Sequence, residues 1–383
     1  MSTAPHDDIS STLDANAGRN HGLEIAVVGY GNWGSRHVRV LSGMPEVTVT
    51  VVDRDPLRLA DAGRTYPMAR LTHSLDEVLD TADAVIIATP PRTHASIAHA
   101  AIRADCHVLV EKLMATSVAE CEELIDAAAM KNVLLMVGHT FEHDAAIWKL
   151  REIAKSGELG EIRYIDCARL NLGLFQEDVN VIWDLAPHDV SIINFILGHP
   201  PTGVSAWGHS HASRGLEDVA HLQLRYAETG VRAYIHVSWL DPCKVRRVTI
   251  VGSEKMVVYN DLAGDQKIRV YDVGLEDDDR DPAYGEPVKY RLGDIVSPRV
   301  TPQEPLAVQA AHMLDCIRTG STPSTDGLSG LAVARVLEAA NASLHSGREM
   351  LLEPSPVIDI TIDPTPLYAQ VPAASMLDSQ ATG

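Results

Sequence analysis

The hydrophobic pattern changes character near the middle of the chain. From Leu23 to about residue 145, short continuous apolar runs alternate with amphipathic stretches whose apolar positions recur at helical spacing. Runs of this kind are typical of strands buried on both faces of a parallel sheet. The predicted strands are LEIAVVGY from Leu23, Val47 to Asp53, Ala84 to Thr89, His107 to Lys112 and Asn132 to Gly138. This alternation predicts crossover helices between parallel strands.

After Trp148 the pattern of hydrophobic and polar positions changes. Seven strand-length runs follow, several alternating with a period of two, which predicts mainly antiparallel pairing with one packed face and one open face. One helix, Leu185 to Leu197, interrupts them, and helices at Pro305 to Arg318 and Leu328 to His345 follow. The seven runs start at residues 161, 203, 218, 231, 244, 255 and 267.

Length and patterning together predict two domains, because 383 residues exceed what one hydrophobic core usually organises. Residues 1–21 are polar and are expected to form a disordered lead. The predicted domains are 22–145 and 146–352, followed by a C-terminal extension, 353–383. The first residues lack the apolar core of a signal peptide, and no apolar run reaches the about 20 residues that span a bilayer. A cytoplasmic location is expected.

Charge and cysteine usage narrow the classes of partner. The formal net charge is −20, from 52 acidic and 32 basic side chains, which argues against nucleic acid or an anionic membrane as a partner. The five cysteines include no CxxC pair and are odd in number. This pattern indicates a reducing compartment rather than a disulfide framework or a zinc site, and no metal is expected.

A glycine motif, GYGNWG, closes the first predicted strand and opens a helix. Its first glycine permits a tight turn, the second leaves room for a pyrophosphate, and the third lets helix and sheet approach closely. Amides at the helix start can then bind the anion. The alternative is a glycine turn that binds nothing. The residues of this turn predicted to bind a dinucleotide are Gly29, Gly31, Asn32, Trp33 and Gly34.

Asp53 closes the next strand, nineteen residues after Gly34, where a carboxylate can accept both ribose hydroxyls of an adenosine. A carboxylate there disfavours the 2′-phosphate of NADP, so NAD is the preferred cofactor. Arg54 follows directly and could hold that phosphate, or it could be a solvated loop cation. NADP therefore stays open.

Five further segments carry a family signature: ATPPRTH from Ala88, EKLMA from Glu111, SGELGEIRYI from Ser156, WDLAPHD from Trp183, and the helical stretch from Pro305 to Gly347. In order and spacing they resemble the glucose–fructose oxidoreductase/inositol dehydrogenase family, and the resemblance covers residues 23 to 350. It implies an α/β Rossmann domain plus an α+β domain with an open, mainly antiparallel sheet that contacts substrate and forms a homodimer or homotetramer. The last segment is most similar to members acting at C3 of sugars or nucleotide sugars.

The resemblance implies three catalytic residues. Lys112 would polarise the reacting oxygen, Asp184 would bind a substrate hydroxyl, and His188 would exchange the proton. Asp184 and His188 lie four residues apart and so share one helix face. Leu113 stands where the family has proline. Lys112 paired with Glu111, Asp184 as a helix cap and His188 as a packed residue are the alternatives. Which of Lys112 and His188 is the base stays open; our hypothesis is His188.

Other residues are assigned to the cleft by resemblance or by strand position. Thr89, Pro90, His94 and Glu111 are expected at the cofactor, while Arg169 and Asn171 alternate onto one strand face and could contact substrate. A solvated strand face is the alternative for that pair. The histidines of HTFEH lie four residues apart, but the glutamate between them is misplaced for the base of a zinc hydrolase, so the pair is interpreted as cleft lining or surface.

The expected function is hydride transfer between a nicotinamide and a hydroxyl or keto carbon of a sugar, nucleotide sugar or cyclitol. One alternative is an enzyme that retains NAD and uses it transiently for lyase or glycosidase chemistry. Another is a non-catalytic NAD-binding sensor. Net formation of reduced cofactor separates the first reading from the other two.

Overall fold

The computed structural model describes residues 22–173, 175–176, 179–212, 215–275 and 289–353. The predicted lead, residues 1–21, lies outside the described residues, as does all of the predicted C-terminal extension after residue 353. Among the described residues, every helix is too short or too polar to cross a lipid bilayer.

The first half of the chain forms a six-stranded parallel sheet in the order β3-β2-β1-β4-β5-β6. Its central strands are apolar on both faces because helices cover both sides, which confirms the predicted dinucleotide-binding architecture. The strands are β1 (Leu23–Val28), β2 (Val47–Val52), β3 (Arg70–Thr72), β4 (Ala84–Ile87), β5 (His107–Glu111) and β6 (Leu135–Gly138).

Five helices connect these strands. Apolar side chains of α1 and α2 pack with Ile25 and Val27 on one face of the sheet, and those of α4 and α5 pack with Val85 and Val108 on the other. The helices are α1 (Asn32–Ser42), α2 (Pro56–Thr65), α3 (Asp76–Leu79), α4 (His94–Arg103) and α5 (Val118–Lys131).

The second half builds a nine-stranded sheet in the order β14-β13-β12-β11-β7-β10-β9-β8-β15. All neighbouring strands run antiparallel except β7 and β10, so the prediction of a mainly antiparallel sheet is confirmed. The strands are β7 (Ile162–Leu172), β8 (Gly203–His209), β9 (Val219–Arg225), β10 (Arg232–Ser238), β11 (Leu240–Gly252), β12 (Met256–Asn260), β13 (Ile268–Leu275), β14 (Tyr290–Val296) and β15 (Met350–Leu351).

Four helices complete the described part of the fold. Helices α6, α7 and α9 cover one face of the nine-stranded sheet, while α8 packs into the core beside β1 and α1. Helix α9 also contacts α5 and β6, so the end of the described chain returns to the first sheet and joins the two halves. The helices are α6 (Ala145–Lys155), α7 (Val181–Leu197), α8 (Pro305–Thr319) and α9 (Gly327–Ser346).

Helix α7 begins four residues before its predicted start at Leu185. Asn180 is its N-cap, with its side-chain oxygen accepting from the Trp183 amide at 3.2 Å. The alternative of Asp184 as a helix cap is therefore wrong, and this carboxylate is available to the cleft. Pro187 falls inside the helix rather than in its first turn, so the Trp183 carbonyl receives no amide bond from that position.

Candidate active site

The glycine turn has the shape that a dinucleotide requires. Gly29 has φ +93°, and a Cβ added at Gly34 would lie 1.7 Å from the Gly29 carbonyl oxygen, so α1 can approach β1 only with glycine there. At Gly31 the nearest protein atom to an added Cβ is 3.8 Å away. Gly31 is the N-cap of α1, and no side chain caps the backbone amides of the first turn. The open space and these amides together fit a pyrophosphate.

The Asp53 carboxylate is fixed beside this turn. It accepts hydrogen bonds from the backbone amides of Tyr30 at 2.6 Å and Asp55 at 2.9 Å. Arg54 is exposed, whereas the guanidinium of Arg58 lies 3.7 Å from the carboxylate. Sequence reasoning missed Arg58, although its place in the first turn of α2 is a usable signal, because helical geometry turns it back toward the end of β2. The arrangement fits an adenosine ribose at Asp53.

Lys112 reaches across to the second half of the chain. Its ammonium donates to the backbone carbonyl of Asp184 at 2.8 Å and lies 3.4 Å from the Asp184 carboxylate. The other carboxylate oxygen of Asp184 accepts from the Trp239 indole at 2.9 Å. Glu111 is paired instead with His37, at 2.8 Å. The alternative in which Lys112 forms a surface salt bridge with Glu111 is therefore wrong. The Lys112–Leu113 peptide bond is cis.

His188 lies one helical turn after Asp184. In the described part of the chain, neither of its ring nitrogens has a hydrogen-bond partner. Burial lowers its pKa well below 6.5, and the Lys112 and Arg169 cations lower it further. The imidazole is therefore neutral near pH 7 and able to accept a proton. Its ring contacts the Phe141 ring edge-on, with a centroid distance of 5.1 Å.

Arg169 and Asn171, expected to contact substrate, are placed by β7 near the start of α7. The Arg169 guanidinium is buried and bonds both carboxylate oxygens of Asp189, at 2.9 and 3.1 Å. It also lies 4.8 Å above the Phe141 ring, behind His188. The Asn171 side-chain oxygen is buried and has no protein partner. The Asn171 oxygen is thus left for a ligand, whereas Nε and Nη2 of Arg169 are bound to Asp189.

A single cleft joins the glycine-turn helix to the Lys112–Asp184 pair. Of the residues expected at the cofactor, Trp33, Thr89 and Glu111 line this cleft, with Pro91 lining it rather than Pro90. His94 is fully buried, with its ring nitrogens 2.7 Å from the Thr89 carbonyl oxygen and 2.6 Å from that of Leu113. It thus fixes the segment after Lys112 to the Thr89 loop. The described residues lining the cleft are Trp33, Ala88, Thr89, Pro91, Glu111, Lys112, Leu113, Gln176, Val179, Trp183 and Asp184.

Comparison with known proteins agrees with this arrangement. The oxidoreductase family model with an NAD-binding Rossmann fold matches residues 23–139, and the GFO/IDH/MocA C-terminal domain model matches residues 147–258. Together the two matches cover more than half of the chain.

Individual relatives include sugar and cyclitol dehydrogenases. UDP-N-acetylglucosamine 3-dehydrogenase of Acidithiobacillus ferrooxidans is 30% identical over 189 residues, which is 49% of this chain and 58% of that protein. The scyllo-inositol 2-dehydrogenase (NADP(+)) of Bacillus subtilis is 23% identical over 86% of this chain and 96% of its own length. The match to the first relative therefore spans little more than half of it.

A solved structure extends the likeness to the whole fold. GenD2 from gentamicin A biosynthesis, crystallised in complex with NAD, is 27% identical with a TM-score of 0.73, covering 87% of this chain and 97% of GenD2. Both halves of the chain match the same family, and the glycine turn fits the cofactor. The chain therefore belongs to the GFO/IDH/MocA family of NAD-binding oxidoreductases, as its motifs predicted.

Proposed function

We propose that this oxidoreductase interconverts a hydroxyl and a keto carbon on a sugar, nucleotide sugar or cyclitol. The observation that carries the proposal is the contact between the Lys112 ammonium and Asp184, one helical turn before a neutral His188. Lys112 and Asp184 line a cleft that also contains Trp33 of the glycine turn, and His188 follows one helical turn later on α7. An ammonium, a carboxylate and an imidazole together can bind a polyol and move one proton from it.

The cofactor-binding roles follow from the shape of the first domain. Gly31 and the first turn of α1 would hold the pyrophosphate, and Asp53 would accept the ribose hydroxyls. When bound, the nicotinamide supplies the hydride chemistry. Asp53 favours NAD because a 2′-phosphate would be repelled by its carboxylate. Arg58, 3.7 Å from Asp53, supplies a cation that can pair with the 2′-phosphate of NADP.

The residues of the cleft divide the proton chemistry between them. In the oxidation direction, neutral His188 accepts the hydroxyl proton, and the Lys112 ammonium stabilises the developing charge on the same oxygen. Asp184, held by the Trp239 indole, orients Lys112 and accepts a hydrogen bond from a neighbouring substrate hydroxyl. Trp183 and Leu113 form apolar walls that exclude water from the reacting carbon.

The relatives support the substrate class. Two relatives are dehydrogenases of UDP-N-acetylglucosamine and of scyllo-inositol, and both of these substrates carry hydroxyls on a ring. Such substrates match a site that offers the ammonium of Lys112, the carboxylate of Asp184 and, one helical turn later, the imidazole of His188.

The test is to incubate the protein with NAD or NADP and a panel of sugars, nucleotide sugars and cyclitols, following the absorbance of reduced nicotinamide. Substrate-dependent growth of that signal, lost on His188→Asn while cofactor affinity is kept, is the expected result. A bound cofactor that never changes its net redox state would instead favour transient-redox chemistry. Cofactor binding without any conversion of substrate would favour a sensor.

We also propose that the protein is a homodimer or homotetramer formed through the open face of the nine-stranded sheet. Helices cover the other face, whereas this face exposes aromatic and aliphatic side chains; those of Tyr164 and Tyr234 lie 6.2 Å apart. A broad exposed apolar patch of this kind is typical of a protein interface. Sedimentation of the wild type against Tyr234→Asp tests it, since a monomeric wild type would contradict the proposal.

The cytoplasm is the compartment we propose. All five cysteines are free thiols, and four of them are buried. This is the state expected where glutathione keeps thiols reduced.

A further inference from the structure

A short turn after β6, residues 139–143, carries polar side chains that the proposed reaction does not use. Its two histidines, expected as cleft lining or surface, are both buried, each with 3% of its surface exposed. Neither ring nitrogen of His139 has a hydrogen-bond partner, and Nε2 of His143 has none. Because buried polar atoms in native proteins are nearly always paired, unpaired imidazoles mark a place where another molecule supplies the bond.

Further buried polar side chains without partners lie on helix α8 and on the segment that follows it. Helix α8 packs against the 139–143 turn and places the His312 ring 5.6 Å from that of His143. Gln309, three residues before His312, and Thr325, which is held to β6 by a backbone bond of 2.7 Å, are fully buried. Their side-chain polar atoms have no partner either. We call four residues the inner polar pocket: His139, His143, Gln309 and Thr325.

The inner polar pocket adjoins the catalytic groups. Strands β5 and β6 pair with Glu111 opposite Gly138, so Lys112 and His139 follow side by side at the carboxyl ends of two neighbouring strands. Burial and the Lys112 ammonium lower the pKa of His139 to about 4. His139 in turn contributes to the lowered pKa of both His188 and His143.

The groups that face His139 come from three elements. They are Lys112 after β5, His188 on α7 and His143 on its own turn, with His312 of α8 beyond His143. Glu111 is also near, but it is occupied by His37. Beside one cation and otherwise neutral groups, His139 stays neutral at working pH. A neutral imidazole accepts a hydrogen bond at one nitrogen and donates one from the other.

We propose that the inner polar pocket holds water molecules and that His139 is a positioning residue, which through them orients the Lys112–His188 pair and conducts the product proton away. The inference rests on the proposed function. Oxidation of the hydroxyl sends a hydride to the cofactor and leaves one proton on His188. That proton passes along water bonded to His139 to bulk solvent, which takes it up, and His188 returns to its neutral form. No further oxidant or reductant is required.

Three variants test the relay. His139→Phe removes both ring nitrogens, whereas His139→Gln keeps a donor and an acceptor. His199→Phe is the matched control, because His199 is also buried with an unpartnered Nε2 but contacts Tyr226 beyond the end of α7. The readouts are kcat across pH, the solvent deuterium isotope effect on kcat, and NAD affinity.

The expected result is a fall in kcat of about tenfold or more for His139→Phe, smaller than the about 10²-fold or greater loss on removing a direct acid–base residue. The solvent isotope effect should grow and the pH profile should shift, with NAD affinity unchanged. His139→Gln should restore most of the rate, and His199→Phe should match the wild type. If His139→Phe keeps the wild-type pH profile and isotope effect, or if Gln is no better than Phe, the relay is wrong.

A second measurement does not depend on finding a substrate. A high-resolution crystal structure of the protein with NAD should contain water bonded to the ring nitrogens of His139 and His143. A dry pocket, with these side chains bonded to one another, would overturn the inference. Ordered water in a protein that oxidises none of the panel would support the water site and count against the proposed function alone.

Discussion

The Lys112 ammonium lies 2.8 Å from the backbone carbonyl oxygen of Asp184, so the residue that follows β5 is bonded to the first turn of α7. The two residues are 72 positions apart in the chain, and α7 packs against the nine-stranded sheet rather than the six-stranded one. The contact places Lys112 one helical turn from His188. The proposed acid–base pair therefore forms only when both halves of the chain are folded against each other.

Replacing Lys112 with methionine should reduce kcat by about 10²- to 10³-fold, because one charged donor to the reacting oxygen is lost. NAD affinity should change little, since the glycine turn and Asp53 are untouched. Steady-state kinetics and a fluorescence titration of the cofactor separate the two effects. Lys112→Arg is the matched control that keeps the charge. A large loss of NAD affinity with kcat preserved would contradict the role assigned to Lys112.

The pH dependence of the reaction should report His188. Burial and the Lys112 cation lower the pKa of His188 well below 6.5, so the imidazole is still unprotonated at pH 6.5. We therefore expect kcat/KM for oxidation to fall only at a pH well below 6.5. Removing the Lys112 charge removes one cause of the depression, so the acid limb of Lys112→Met should move to higher pH. Profiles of the two proteins, normalised to their own maxima, make the comparison. An unmoved limb would show that His188 is not the group that titrates.

Sequence patterns predicted the two sheets well because burial and periodicity are local signals. The edge strand β14, Tyr290–Val296, was not predicted because its side chains are nearly all exposed and give no alternation. Local sequence patterns also could not predict hydrogen bonds between residues that are distant in the chain. Nothing near Asp184 indicates that the Trp239 indole, 55 residues later, will bind it. The buried state of His139 likewise depends on α8, far along the chain.

Residue roles are a different matter from residue positions. Lys112, Asp184 and His188 were assigned by resemblance, and the structure brings Lys112 and Asp184 into contact. Their chemical roles remain predictions until variants are measured. Strand position suggested Arg169 as a substrate contact, but it gave no sign that Asp189, 20 residues later, would bind its guanidinium.

Cofactor choice should depend on the carboxylate at the end of β2. Asp53→Ser removes the acceptor for the ribose hydroxyls and the charge that repels a 2′-phosphate, so it should raise the KM for NAD and lower that for NADP. Arg58, 3.7 Å from Asp53, would then face the phosphate directly. Adding Arg58→Ala to Asp53→Ser should abolish the gain for NADP. A gain that survives the loss of Arg58 would point to Arg54 instead.

The buried Arg169–Asp189 ion pair should support stability from behind His188. Arg169→Met leaves the Asp189 carboxylate buried without its cation, which should lower the free energy of unfolding by about 3–5 kcal/mol. Asp189→Asn in the same protein removes that stranded charge and should recover part of the loss. Urea unfolding of the single and double variants gives the coupling between the two side chains. Strictly additive losses would show that the pair does not act as a unit.

Glu142 should make the protein less stable as the pH rises from 4.5 to about 8. Burial raises the pKa of this carboxyl from 4.5 to about 8, against the opposing effects of the Ser191 hydroxyl and the Arg151 cation. A carboxyl whose pKa is higher in the folded state stabilises that state fully below pH 4.5. This contribution is then lost, at up to about 1.4 kcal/mol per pH unit, as the pH rises toward about 8.

Glu142→Gln has no proton to lose, so its free energy of unfolding should lack this slope between about pH 5 and pH 8. Subtracting the variant's curve from that of the wild type cancels the titration of every other group. The exposed Glu123→Gln, with 71% of its side chain accessible, is the control and should leave the wild-type slope intact. Parallel curves for the wild type and Glu142→Gln would show that Glu142 titrates alike in the folded and unfolded chains, and that burial does not hold its proton.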